Sequence, residues 1–474
     1  MSPQAQLVMI LWLPVILYLF SKFPPRKAVI VSFLGGLLFL PQKAGFKLPL
    51  IPDYQGMAAT CYGIFIGILI YDSQILGKFQ LKWIDVPVIL FGISPLFSSL
   101  SNFSSIDTIL ALYDGVNQSI TQIVIWGMPY FLGRLYLNNL KGLTELAINI
   151  VKGGLLYVPL CLYEVRMSPQ LHNMVYGYFP HEFAQTMRYG GWRPQVFMQH
   201  GLTVSFFMMS ATLIALSLWQ GKVVQKIWRI PIKWVSIILL ITFILLKSTG
   251  AYGLFLLGLI ILFSAKWLRL NLPLILVMVA IIVYLTITST GNFDSKSIVN
   301  FLGNFAPEER VQSLEFRFYN EKILGDRARE RILFGWGGWG RNRVYTENWA
   351  GDLVDISITD SLWIIVFGNN GLFGLISLIT FLLLPVFCFT LFRYPPKAWF
   401  YPQVASAAVL AVCLTLAVVD YLLNFSFNPI FPLISGGLSG LFISKTQPVR
   451  KKVTRKMKPQ KIIKQVSTIS HSQK

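Results

Sequence analysis

Charged residues are scarce in this sequence of 474 residues. Asp, Glu, Lys and Arg make up 13% of it, whereas soluble globular domains contain about a quarter. Hydrophobic residues make up 54%. This balance excludes an ordinary soluble domain. Apolar runs of about 16 to 22 residues, the length that crosses roughly 30 Å of hydrocarbon, recur along the chain and predict an all-α, polytopic transmembrane protein.

Cysteine is also rare. All four cysteines fall inside apolar runs without paired spacing, so we interpret them as small core residues rather than a disulfide or metal framework: Cys61, Cys161, Cys388 and Cys413. His181 and Glu182 begin like a zinc motif, but Gln185 stands where the second histidine is needed. The sequence therefore predicts no metal cofactor.

Acidic residues are half as frequent as basic ones, at 20 against 41, which gives a formal charge of +21. The basic residues are not gathered into a folded domain with interleaved aromatics, so a nucleic-acid partner is not predicted. Ten of them lie in the last 30 residues, and most others lie in short loops between apolar runs. The positive-inside rule explains this distribution.

The membrane domain is predicted to occupy residues 1–444, with external loops at about 164–198 and 291–360 if the N-terminus is outside. The basic tail 445–474 is predicted to be disordered and attracted to anionic lipid. A specific partner of the tail is the less favoured interpretation. About 13 spans are predicted, at about 7–20, 28–41, 57–71, 85–100, 119–137, 146–163, 199–219, 233–247, 250–265, 272–290, 361–392, 402–423 and 429–444.

Within the predicted spans, the conspicuous ionisable residues are Arg134 and Asp420. Each would cost roughly 3 kcal/mol at a lipid-facing central position, so each is expected to face a cavity, a partner or the headgroups. Lys247, at the outer end of its span, could point toward an anionic group.

The first external loop carries Arg188 and Arg193 among histidines and aromatics. Guanidinium groups bind phosphate through two parallel hydrogen bonds, so these arginines are candidates for anion binding. The alternative is an interfacial segment in which arginines reach the headgroups and aromatics form a belt.

The stretch from Ser313 to Gly374 concentrates glycine, arginine and carboxylate. Arg317 and Glu321 are four residues apart, as a salt-bridged helix requires. In the following turn, FGWGGWGRNR, glycine amides could form an anion-binding concavity. The neighbouring side chains could contact a sugar or a phosphate: Trp336, Trp339, Arg341 and Arg343.

Asp360 precedes the apolar run that begins at Ser361. It could cap that helix, because its carboxylate would accept hydrogen bonds from free amides. It could also accept a proton from an attacking hydroxyl. The two roles are compatible.

Asp360, Ser361, Gly371 and Gly374 match the spacing of a motif of the O-antigen ligase and polymerase superfamily, although the ligases have histidine at the first position. The segments PYFLGRLYL, RYGGWRPQVFMQHG and FRFYNEKILGDRARERILFGWGGWG also resemble that family. The general plan, with one large external loop before the last three spans, is similar as well.

This resemblance implies a C-type glycosyltransferase fold in a bacterial plasma membrane, with the active site facing the periplasm or exterior. The implied donor is a glycan on undecaprenyl diphosphate, and the implied acceptor is a hydroxyl in polysaccharide biosynthesis. By position, Asp360 would be the base, and Arg317 with Arg188 or Arg193 would bind the diphosphate. Arginines could stabilise this leaving group without a metal.

Two other classes of function stay open. A transporter or flippase of lipid-linked saccharide is suggested by Arg134 and Asp420, although no matched pair of interrupted spans is visible in the sequence. A non-catalytic scaffold with partners in polysaccharide assembly is the third. The sequence does not distinguish ligation from polymerisation.

Overall fold

The computed structural model describes residues 2–48, 51–102, 108–188, 190–304, 308–338, 340–349, 351–425 and 427–444. The protein is mostly helical, with 73% helix and little strand. Residues 445–474, predicted as a basic tail, lie outside the described residues, and so does Trp339.

Helices account for nearly all of the regular structure, and their bounds in chain order are α1 Pro3–Lys22, α2 Pro25–Phe39, α3 Gly56–Tyr71, α4 Val86–Ser101, α5 Thr108–Gln122, α6 Met128–Tyr136, α7 Leu140–Met167, α8 Leu171–Tyr176, α9 Gly201–Gln220, α10 Ile232–Leu245, α11 Thr249–Phe263, α12 Leu272–Ser289, α13 Ser295–Gly303, α14 Glu308–Arg329, α15 Leu362–Cys388, α16 Ala405–Leu423 and α17 Ile430–Ile443. The short strands form two-stranded antiparallel hairpins: β1 Gly45–Phe46 with β2 Tyr54–Gln55, β3 Met187–Arg188 with β4 Gly191–Trp192, β5 Lys226–Ile227 with β6 Ile230–Pro231, and β7 Tyr345–Glu347 with β8 Leu353–Asp355.

Eight helices of the described chain are long and apolar enough to cross a membrane, as in a multi-pass membrane protein. They contain α1, α4, α7, α9, α11, α12, α15 and α16. Shorter apolar helices are α3, α10 and α17. Each predicted span overlaps a helix, while the count of about 13 crossings stays a prediction.

The helix over the predicted span 119–137 begins earlier than expected, at Thr108. α5 carries Asp114, whose carboxylate is 3.2 Å from a guanidinium nitrogen of Arg341. The first part of α5 is polar and pairs with a distant loop through Asp114, so hydropathy alone did not indicate that it belongs to the helix. A π-helical turn at Ile123–Gly127 joins α5 to α6.

The helix ends define two ends of the bundle. The N-termini of α9, α11 and α15 and the C-terminus of α16 line one shared cavity, and we call this the site end. α9 and α16 are the most buried of the eight candidate spans. They therefore form the packed interior beneath the cavity.

Helix α15 is broken at Gly371, where φ is +62° and ψ is −162°. Residues 332–337 fill the break. The amides of Trp336 and Gly337 donate to the carbonyls of Gly368 and Asn369 at 2.8 and 2.9 Å. In the other direction, the amides of Leu372 and Phe373 donate to the carbonyls of Ile332 and Leu333 at 2.8 and 3.0 Å. Backbone groups that the break would leave unsatisfied are thereby paired, as a nonpolar environment requires.

We predict that Gly371→Ala destabilises the protein, because that backbone conformation is almost restricted to glycine and an added Cβ would lie 2.4 Å from the carbonyl of Leu333. The strain alone is worth roughly 1–3 kcal/mol. The measurement is the thermal unfolding midpoint of detergent-purified protein.

The matched control is Gly253→Ala in α11, where an added Cβ meets no atom within 4 Å. Alanine is favoured over glycine inside a helix by about 0.5–1 kcal/mol, so this midpoint should stay the same or rise. Equal midpoints for the two variants would contradict the account of the break.

Candidate functional site

A polar cavity with a volume of about 650 Å³ lies at the site end. Its wall combines the β3–β4 segment, the N-termini of α9 and α11, the helix α14, the mouth of α15 and the end of α16. Four predicted site residues from three separate segments line it together: Arg188, Arg193, Arg317 and Asp360. Asp360 is the one carboxylate among the described lining residues, so the wall carries an excess of positive charge.

Arg317 and Asp360 face each other across the cavity. Arg317 Nε lies 3.9 Å from Asp360 Oδ2, and both side chains are about one-third to two-fifths exposed. Arg317 also donates to the carbonyl of Leu423 at 3.3 Å. Charge-assisted N–H···O contacts are usually about 2.7–2.9 Å long, so this ion pair is loose. Its carboxylate is accessible to a ligand.

The N-cap of α15 is Ser361 rather than Asp360. The hydroxyl of Ser361 donates to Glu321 at 3.0 Å instead of accepting from the helix amides. The cap interpretation of Asp360 is therefore not what the local geometry shows. The contact that orients Asp360 is Arg317.

Glu321 joins three helices instead of pairing with Arg317. It accepts hydrogen bonds from Ser361 at 3.0 Å, from the indole of Trp363 at 3.2 Å and from Tyr284 at 3.0 Å. Burial raises the pKa of Glu321, opposed by these donors and by Arg317. Arg317 lies one helical turn before Glu321 on α14. The hydrogen bonds of Glu321 therefore help to fix the position of Arg317 relative to Asp360.

The two arginines of the first external loop differ in burial. Arg193 is buried, and its amide donates to the carbonyl of Thr186 at 2.8 Å. Its aliphatic part packs against Gly201, the first residue of α9. Arg188 is half-buried in β3. A buried and a half-buried arginine thus line the same cavity.

Two histidines of the wall were not selected as site residues from the sequence. The rings of His181 and His200 have centroids 5.7 Å apart. His200 precedes α9 as its N-cap and accepts a hydrogen bond from the amide of Leu202 at 3.1 Å. Within the described chain, Nε2 of His181 is buried without a hydrogen-bond partner. Their nearness to Arg188 and Arg193 in the sequence was the available signal.

The described residues of the glycine-tryptophan turn do not line the cavity. The amides of Trp336 and Gly337, which belong to the predicted anion-binding concavity, donate instead to carbonyls at the break in α15. The ring of Trp336 lies 3.5 Å from the guanidinium carbon of Arg327. Arg341 pairs with Asp114, and Arg343 pairs with Asp355. None of these predicted site residues lines the cavity in the described chain: Trp336, Arg341, Arg343 and Glu321.

The ionisable residues within the spans have partners. Arg134 forms an ion pair with Asp85 at 2.7 Å. Asp420 accepts a hydrogen bond from Asn424 at 2.8 Å. Asp420 is near the cavity, since Asn424 lines it, whereas Asp85 and Arg134 lie at the opposite end of the bundle.

No family model matches the chain, and no curated protein matches it either. Among the described residues, no group of three or more His, Cys, Asp or Glu side chains could hold a metal ion. The four cysteines are buried and unpaired.

We predict that His200 makes the protein acid-sensitive. Burial, with the positive charges of Arg193 and Arg188, lowers the pKa of His200 to about 4, below the ordinary value of about 6.5. Between these values the unfolded chain binds the proton more readily than the folded chain, so stability falls as pH falls. Thermal unfolding midpoints at pH 7 and pH 5 measure this loss.

His200→Asn should reduce the loss, because asparagine preserves an N-cap acceptor but does not titrate. The neighbouring Gln199→Asn is the control and should retain the loss seen in the wild type. An undiminished loss in His200→Asn would refute the assignment.

Proposed function

We propose that this protein is a membrane glycosyltransferase of the O-antigen polymerase and ligase type. It would transfer a glycan from an undecaprenyl-diphosphate-linked donor to an acceptor hydroxyl at the outer face of a bacterial plasma membrane. The observation that supports the proposal is the convergence of three arginines and one carboxylate in one cavity at the ends of apolar helices.

The donor diphosphate would occupy the positive part of the wall. Arg188 and Arg193 come from the segment around β3 and β4 and Arg317 comes from α14, so guanidinium groups of two separate segments could contact the diphosphate. These contacts strengthen as negative charge develops on the leaving group. Arg193, which is buried, is held in place for this role before substrate binds.

The acceptor hydroxyl would approach Asp360. Its oxygen forms a bond to the anomeric carbon while the bond from that carbon to the diphosphate oxygen breaks. The bonding electron pair leaves with the diphosphate, and the hydroxyl proton passes to the carboxylate of Asp360. Attack from the side opposite the leaving group inverts the configuration. The loose contact between Asp360 and Arg317 leaves the carboxylate free to accept that proton.

We predict that Asp360→Asn and Arg317→Lys each abolish formation of long surface polysaccharide when they replace the wild type in a deletion strain. Loss of a general base typically costs about 10²–10⁴ in rate, and lysine cannot reproduce the two parallel hydrogen bonds of arginine. Polysaccharide length on gels, at equal protein levels in the membrane, is the measurement.

The matched controls are Asp352→Asn and Arg166→Lys, which change the same chemistry at exposed positions outside the cavity wall. Both should restore wild-type polysaccharide. Full activity of Asp360→Asn and Arg317→Lys would rule out the assigned site. In the deletion strain itself, loss of long chains with retained single units favours a polymerase, whereas accumulation of lipid-linked long chains favours a ligase.

A transporter of lipid-linked saccharide is the second candidate, and the broken helix favours it. Transporters place ligands at discontinuous helices. Here the break in α15 at Gly371 lies beside buried Asn370, whose amide is 3.4 Å from the hydroxyl of Ser98. Purified protein in detergent distinguishes the candidates, because glycan transfer between carriers needs no sealed compartment and transport does.

A further inference from the structure

A second, smaller charged cavity lies at the end of the bundle opposite the site end. Its volume is about 220 Å³, and its wall includes Lys78, Lys82 and Arg134. The C-terminal end of α17, at Ser444, closes one side. Cavities that enclose drug-sized ligands measure about 300–1,000 Å³, so this one admits only a small group. The wall contains no carboxylate among the described residues.

Arg134 is held in a fixed orientation at the base of this cavity. Its Nε and Nη2 donate to the two carboxylate oxygens of Asp85 at 2.7 and 3.0 Å, and Nη2 also donates to the carbonyl of Gln80 at 3.1 Å. Tyr130 donates to the same carboxylate at 2.7 Å. Asp85, which is 1% exposed, neutralises Arg134. The remaining charge of the wall therefore comes from the two lysines.

Lys78 and Lys82 are exposed, and neither forms an ion pair with a carboxylate in the part of the chain that the structure describes. Both lie on the short connection between α3 and α4, which turns the chain at this end of the bundle. Two unpaired cations at a small opening attract an anion carrying one or two charges. Phosphate oxygens also match the polar character of Gln80 and Asn138 in the wall.

The same connection carries exposed apolar side chains. Leu81 and Trp83 are each 59% exposed, and Trp83 packs edge-to-face on Phe442 of α17 with ring centroids 6.1 Å apart. Tryptophan is enriched where proteins meet the membrane–water interface. Lipid chains would therefore cover Leu81 and Trp83, while the lysines beside them reach the headgroups. A soluble anion would make no contact with these two apolar side chains.

We propose that this cavity binds the phosphate of an anionic phospholipid headgroup, with Lys78 and Lys82 as the cationic contacts and the paired Arg134 as a structural part of the wall. Basic pockets between transmembrane helices bind acidic headgroups by this chemistry. The proposal does not depend on the glycosyltransferase function, because it concerns the opposite end of the bundle.

The experiment compares lipid binding by the full chain in detergent, using native mass spectrometry with phosphatidylglycerol as the anionic probe. Phosphatidylcholine, which is zwitterionic, is the lipid control. The test variant is Lys78→Gln/Lys82→Gln, and the protein control is Lys226→Gln/Lys233→Gln. The control removes the same charge from two exposed positions outside the cavity wall, one in β5 and one in the first turn of α10. Every protein keeps the basic tail, so differences between the variants report on the cavity.

We expect the tightest phosphatidylglycerol to bind about thirtyfold more weakly to the test variant at low ionic strength, since each lysine near a headgroup contributes roughly fivefold. The control variant should bind like the wild type. Inorganic phosphate should not displace the lipid at equal concentration, because the apolar contacts are missing; displacement would identify a free phosphate as the ligand and overturn the lipid assignment. Equal affinity of wild type and test variant, or equally tight phosphatidylcholine, would also overturn the proposal.

Discussion

The break in α15 is the constraint on which the arrangement of the site end depends. A helix inside an apolar bundle cannot leave four backbone groups unpaired. The chain solves this by inserting the segment around Leu333 and Gly337 into the break, with hydrogen bonds of 2.8–3.0 Å on both sides of Gly371. The connection that follows α14 is therefore fixed to α15 by backbone contacts. α14 itself cannot move away from the mouth of α15 without opening this pairing.

The glycines on the two sides of the insertion depend on one another. A Cβ on Gly335 would lie 2.6 Å from the backbone of Asn369, and a Cβ on Gly371 would lie 2.4 Å from the backbone of Leu333. Gly374 is the last position of the family-like motif, and a Cβ added there would lie 2.3 Å from the side chain of Asn370. Glycine at positions 371 and 374 of the motif is thus a packing requirement of the broken helix. It serves the cavity indirectly, by setting where the mouth of α15 lies.

The residues that the sequence indicated by their chemistry are brought together by the fold, while their roles stay predictions. Arginine and aspartate beside a membrane indicated Arg188, Arg193, Arg317 and Asp360, and these meet in one cavity. The sequence did not indicate that amides of the glycine-tryptophan turn pair with α15, because nothing local in FGWGGWG distinguishes amides open to an anion from amides that pair with a distant helix. Asp85 was missed as the partner of Arg134 for a similar reason. The two residues are 49 positions apart in the sequence, and only the fold brings Arg134 to Asp85.

Arginine is used in opposite ways at the two ends of the bundle. At one end, Arg134 forms an ion pair with Asp85 at 2.7 Å. This pair neutralises its charge within the protein, and its role is to hold helices together. At the site end, Arg317 meets its carboxylate at 3.9 Å, with Arg188 and Arg193 facing the same space. A tight pair gains little from a new anion, because the existing carboxylate competes for the same donors. In a loose pair within a net positive cavity, both groups stay available to substrates: the arginine can bind an anion of the donor, and the carboxylate can accept a proton from the acceptor. The difference in these two distances, more than the number of charges, is what makes the site end the better candidate for chemistry.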